Sequence, residues 1–287
     1  MNADHPSSQP PFGAAGDPSP PPATAPITSI APPSPYRQVR PWYGMGDIPL
    51  GFVFFLAVAT IGSLVGLAFA SVDDVVSYAT AEGSVGLPFG FLAVSLLFQQ
   101  AGQGLWPFIV SKWKGLGAVT DWRLRFKPAD LGIGVGVAFI GLGGASVAGF
   151  IVSSLVGLTD EASADNTQIL RDAEGTPWMP MILFAVVIGA PITEELFFRG
   201  LTLRAIEKRL GQLWAVVLSS LIFTLPHWIG SDWRGTLTLF GSIFVVGLVL
   251  GAAAVITDRI ASSIVAHMLF NAFGVAGALG YFDNFIP

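Results

Sequence analysis

The chain contains no cysteine, which excludes a disulfide framework, a thiolate nucleophile and any thiolate-bound metal. Charge is nearly as scarce: Asp, Glu, Lys and Arg make up 11% of 287 residues. A water-soluble globular protein carries about a quarter charged residues, so this chain lacks the charge to cover an aqueous surface. The net charge of −5 is scattered, with no basic face of the kind that binds nucleic acid. No early basic cluster leads into an apolar run, so the N-terminus does not read as a secretory signal peptide. What is abundant is apolar: 52% of residues, with a mean hydropathy of +0.65. That balance assigns the chain to a lipid bilayer and excludes disorder over its whole length.

Twelve of the 21 prolines lie between Pro6 and Pro41. A stretch of this composition cannot bury enough apolar surface to offset its ordering entropy, so residues 1–46 are expected to form a disordered Pro-rich cytoplasmic tail. After Asp47 come apolar stretches almost free of charge, read as spanning helices at 48–72, 87–109, 131–158, 179–198, 213–229, 236–256 and 260–279. Most approach or exceed the roughly 20 residues that cross a hydrocarbon core. The expected fold is an all-α polytopic transmembrane bundle of about seven or eight spans, with N-terminal membrane helices over 47–178 and a catalytic membrane core over 179–287. The connecting loops alternate in sign. Arg37 and Arg40, then Lys112 to Lys127, then Arg204, Lys208 and Arg209 are basic, while 73–82 and 160–174 are acidic. This places the N-terminus in the cytoplasm. The expected location is integral to a membrane, the plasma membrane by preference.

Ionisable groups inside these spans cost roughly 2.5 kcal/mol or more each by insertion scales. They fall in three places: Glu194, Glu195 and Arg199; His227 after Pro226; and His267 with Asn271. Only three histidines exist, and His5 lies in the tail. Glu195 and Arg199 are four residues apart and share a helix face, so they can pair. Glu194 points about 100° away from its neighbour and is left for another purpose. His267 and Asn271 are likewise four apart. A chain reversal near Gly211 would set Glu195 and His227 at equal depth, on the order of 20 Å from the turn, whereas His267, counted from the turn at Asp258-Arg259, comes out shallower at roughly 12 Å. Pro226 removes a helix hydrogen bond, which membrane depth tolerates where the freed carbonyl faces protein or water. Gln99, Gln100 and Gln103 read as amides that pair between helices, with a pathway-lining role as the alternative.

In this order the three clusters resemble the CAAX protease and bacteriocin-processing (Abi) family of intramembrane proteases. Its pattern of Glu-Glu-x-x-x-Arg, Phe-x-x-x-His and His-x-x-x-Asn reads here as Glu194-Glu195…Arg199, Phe223…His227 and His267…Asn271. The resemblance implies eight spans, a polar cavity and an endopeptidase acting on a peptide or membrane-protein substrate at the lipid bilayer. It implies Glu194, Glu195, Arg199, His227, His267 and Asn271 as site residues. In this reading Glu194 activates water with His227, Glu195 pairs with Arg199, and His267 and Asn271 donate to the oxyanion. A second route uses a metal: His227, His267 and Glu194 would suit Zn2+ and leave a position for water. The chain has no His-Glu-x-x-His helix, the compact zinc signature. Two non-peptidase alternatives remain open from the residues alone. One is a transporter or proton-coupled pathway using the same Glu, Arg and His groups; the other is a catalytically silent membrane interaction protein.

Overall fold

Apolar runs without charge can satisfy their backbone in lipid only as helices, and among the described residues the computed structural model contains helices and no strand. The structure describes residues 41–69, 89–158, 170–171, 173–227 and 232–282. The expectations for the Pro-rich tail to residue 40 and for the acidic loops at 73–82 and 160–165 lie outside them. The helices are α1 (Asp47–Gly66), α2 (Phe89–Lys114), a one-turn α3 (Ala118–Asp121) and α4 (Ala129–Val156), followed by the short α5 (Met179–Phe184) and α6 (Ala190–Glu194). Then come α7 (Leu203–Thr224), α8 (Trp233–Thr257) and α9 (Ala261–Ala278). Two π-helical segments, Ala185–Gly189 and Glu195–Thr202, join α5, α6 and α7 into one run from Met179 to His227.

Five helical stretches are long and apolar enough to cross a membrane, and the chain is an integral membrane protein. The 49-residue run Met179–His227 is one of the five, but at about 1.5 Å per residue it is more than twice a bilayer core in length. It folds back on itself. Gly211 adopts φ 78° and ψ 174° inside α7, a conformation essentially confined to glycine. Across that break Phe198 and Phe223 meet with ring centroids 5.1 Å apart. The fourth span therefore does not stop at Phe198, as the apolar run suggested. It continues through Arg199 to the turn, because Arg199 and Arg204 are neutralised within the bundle.

The helices pair antiparallel through small residues, as lipid-embedded helices do in the absence of a hydrophobic drive. On α1 and α2, a Cβ on Gly102 would sit 2.9 Å from Val58. The Trp106 indole N–H donates to the Asp47 carbonyl at 2.8 Å. On α7 and α8, a Cβ on Gly247 would sit 2.9 Å from Ser220. On the outer faces of α1 and α4, Val53, Leu64, Phe139, Phe150 and Leu155 are exposed, a surface suited to lipid chains and not to water. Away from the exposed turn, Phe197, Phe198, Leu201, Phe223 and Trp122 form one buried cluster that joins the two limbs of the long run.

Candidate active site

Glu194 and Glu195 stand at the junction of α6 and the second π segment. Adjacent positions on a helix diverge by about 100°, and their environments diverge accordingly. Glu195 is fully buried. Its Oε1 accepts from Arg199 at 2.8 Å and faces His267 Nδ1 at 3.0 Å. Arg199, also buried, donates further to the Gly247 carbonyl at 3.2 Å and lies 4.4 Å over the Phe223 ring. A charge in this position is tolerable because it is paired, hydrogen-bonded and stacked, while Glu195 Oε2 is buried without a partner. Glu194 is partly open instead, and its Oε2 lies 3.7 Å from His267 Nε2. The glutamates thus bracket one imidazole. Since a carboxylate paired with Arg199 can only accept, Nδ1 carries the hydrogen and Nε2 is turned toward Glu194.

His227 comes from the other side of the Gly211 turn. It ends a 3-10 turn, Leu225–His227, that follows α7 at Pro226. Its Nδ1 lies 3.0 Å from the Phe223 carbonyl; a carbonyl only accepts, so Nδ1 is the N–H and Nε2 is free for other partners. Phe223 is the shared floor, with its ring centroid 5.1 Å from that of His227 and 5.8 Å from that of His267. Glu194 and His227 both line a cavity of about 220 Å³, together with Gln99, Gln100, Gln103 and Val186.

The backbone leading to Glu194 is set by a proline. Ala190 N–H bonds the Ala185 carbonyl, the i+5 pattern of a π turn. Val186 would next take its bond from residue 191, but Pro191 has no N–H. The orphaned Val186 carbonyl is capped by Asn271 Nδ2 at 2.8 Å, and Gln100 Nε2 adds a bond to the Ala185 carbonyl at 2.8 Å. Two amides from α9 and α2 thus hold a single π segment, one helical turn before the glutamates. Such π segments recur at functional sites because they rotate the residues beyond them.

Residues 176–273 match the family model described as Type II CAAX prenyl endopeptidase Rce1-like. Over this segment the chain is similar to that endopeptidase family. The match covers about a third of the chain and contains all three motifs; α1 to α4 lie outside it. Neither a curated protein nor a solved structure matches the chain.

Of the six residues singled out by sequence, the matched segment brings five close together. Glu195, Arg199 and His267 form one hydrogen-bonded group, Glu194 borders it, and His227 lines the same cavity as Glu194. Asn271 stands one turn beyond His267 and donates to Val186. A metal would need three ligands converging on one point. Among the described residues no three His, Cys, Asp or Glu side chains are so grouped. As placed, His227, His267 and Glu194 do not form a zinc ligand set. The α2 glutamines, expected to pair between helices with pathway lining as the alternative, line the cavity, and Gln100 also bonds the Ala185 carbonyl. Asn271, expected at the oxyanion, caps Val186 instead. Sequence reading passed over Val186, whose only signal was the proline five residues later.

Proposed function

We propose that the protein is an intramembrane endopeptidase of CAAX-prenyl-protease type, acting on a membrane-associated peptide. The observation that carries the reading is the division between the adjacent glutamates: one locked to Arg199 and His267, the other facing a polar cavity opposite His227. Glu194 takes a proton from a water in that cavity while the water oxygen bonds to the scissile carbonyl carbon. His227 Nε2, free once Nδ1 is committed to Phe223, orients the same water. The proton on Glu194 then passes to the leaving nitrogen as the C–N bond breaks. His267 lies beside Glu194, but its Nδ1–H is committed to Glu195, so its Nε2 accepts and does not donate to a tetrahedral oxygen formed there. Asn271 would contribute to that oxygen by turning from Val186, and otherwise serves by fixing the π segment. Within the spans the Glu, Arg and His groups gather around Glu194 and Glu195 and are not strung across the bilayer, which favours hydrolysis over a transport path. The basic loops favour a cytoplasmic N-terminus in the plasma membrane.

The test is hydrolysis of a farnesylated peptide ending in a CAAX sequence by the full chain in lipid vesicles, followed by mass spectrometry. Wild type should release the terminal tripeptide, and Glu194→Gln should be slower by about 10²- to 10⁴-fold, the usual contribution of a general base. A chelator should leave the rate unchanged. Loss of activity with chelator and its return with Zn2+ would replace the glutamate route with a metal one. Solute or proton flux without cleavage would replace the peptidase with a transporter.

A further inference from the structure

The cavity beside Glu194 has a wall that the three motifs do not supply. Gln99, Gln100 and Gln103 of α2 all line it, yet the three amides are not in the same state. Gln100 is buried, with its N–H on the Ala185 carbonyl and its Oε1 packed against Gly189. Gln103 has one long contact, 3.5 Å from its Oε1 to the Thr193 hydroxyl, and its two N–H groups have no acceptor. Gln99 has no partner among the described residues. Gln99 is exposed and Gln103 half-buried, so neither amide is sealed into packing, and both are open to a molecule entering the cavity that Glu194 also lines.

Their spacing carries the argument further. Gln99 and Gln103 are four residues apart and share a helix face, about 6 Å apart along the axis. Alternate residues of an extended peptide, whose main-chain groups point the same way, repeat at about 6.6 Å. A carboxamide offers both an acceptor and donors, the two kinds of group, C=O and N–H, that a strand edge presents to an added strand. We propose that Gln99 and Gln103 form an amide ladder that binds the main chain of an extended substrate peptide and lays its scissile bond across Glu194. The inference rests on the peptidase reading and deepens it. Recognition is directed at peptide groups and not at side chains, so the ladder selects an unfolded or locally extended segment whatever its sequence. Gln100 is a positioning residue, committed to the π segment.

The test uses the full chain with Glu194→Gln in detergent, which binds without cleaving, and a fluorescein-labelled farnesylated CAAX peptide as probe. Anisotropy gives Kd for this protein and for the same protein carrying Gln103→Met or Gln99→Met. Methionine keeps length and removes hydrogen bonding, and melting curves confirm that each variant is folded. Each replacement should weaken binding about tenfold, equivalent to roughly 1.4 kcal/mol. N-methylating the peptide at successive main-chain nitrogens should produce one position that weakens binding to the parent but adds nothing in Gln103→Met. A purely structural role would not create that non-additivity. Unchanged Kd in both methionine variants, or full additivity at every N-methyl position, overturns the ladder while leaving the peptidase reading intact. Failure of the parent to bind any of the peptides overturns both.

Discussion

The pairing of Arg199 with Glu195 shows how a charged residue survives inside this bundle. The guanidinium bonds a carboxylate and a carbonyl and stacks on Phe223. Removing one member of a buried pair leaves the other uncompensated, at a cost of about 3–5 kcal/mol. Arg199→Met should therefore lower the melting temperature sharply, measured in detergent, and should release His267 as well, since Glu195 Oε1 serves both. An unchanged melting curve would mean that the pair does not hold the motif. The pairing itself was legible in sequence from the four-residue spacing, and so was the divergence of Glu194. The bridging position of His267 was not, because depth counted along a single helix says nothing about the height of its turn. Asp258 lies 3.9 Å from Arg204, seven residues short of Gly211, so that turn is set about 10 Å deeper. This offset removes the mismatch in depth between His267 and Glu195.

At the scale of elements, the site depends on helices that depart from ideal geometry. Pro191 denies Val186 its donor, and Asn271 and Gln100 supply what the helix cannot. Pro191→Ala restores an N–H and allows the segment to relax to an α-helix, which would rotate Glu194 away from His227. The expected outcome is a melting temperature at or above wild type with a kcat reduced at least tenfold. Retained kcat would show that the π segment does not aim Glu194. Gly211→Ala probes the other departure: an alanine at φ 78° should cost about 1–3 kcal/mol, read as a fall in melting temperature. The Gly211 turn and the equal depth of residues near 195 and 227 were legible, because a hairpin needs only a breaker between two apolar runs. The π segments were not, because their signal is a bond that fails to form and the capping amides lie 85 residues away in sequence.

Across the whole molecule, polar groups collect at one end. Tyr43, Asp121, Arg123, Arg204, Lys208 and Asp258 line a cavity of about 400 Å³, gathering the loops that the charge alternation placed on one side of the membrane. Burial, with the Asp121 carboxylate nearby, pushes the Tyr43 hydroxyl up from 10.0 to about 12. The folded protein thus keeps this proton between pH 10 and 12 while the unfolded chain loses it, so the associated stability is intact below pH 10 and falls as pH rises toward 12. Tyr43→Phe should flatten that part of the melting curve's alkaline decline; an identical decline in both proteins would refute the assignment. The central claim is that this bundle makes one adjacent glutamate the framework and the other the base. It is tested most directly by measuring peptide cleavage and thermal melting on the same vesicle preparations of wild type, Glu194→Gln and Glu195→Gln. The account predicts that Glu194→Gln loses cleavage and melts as wild type does, while Glu195→Gln melts at a markedly lower temperature. Cleavage by Glu194→Gln at the wild-type rate would contradict it.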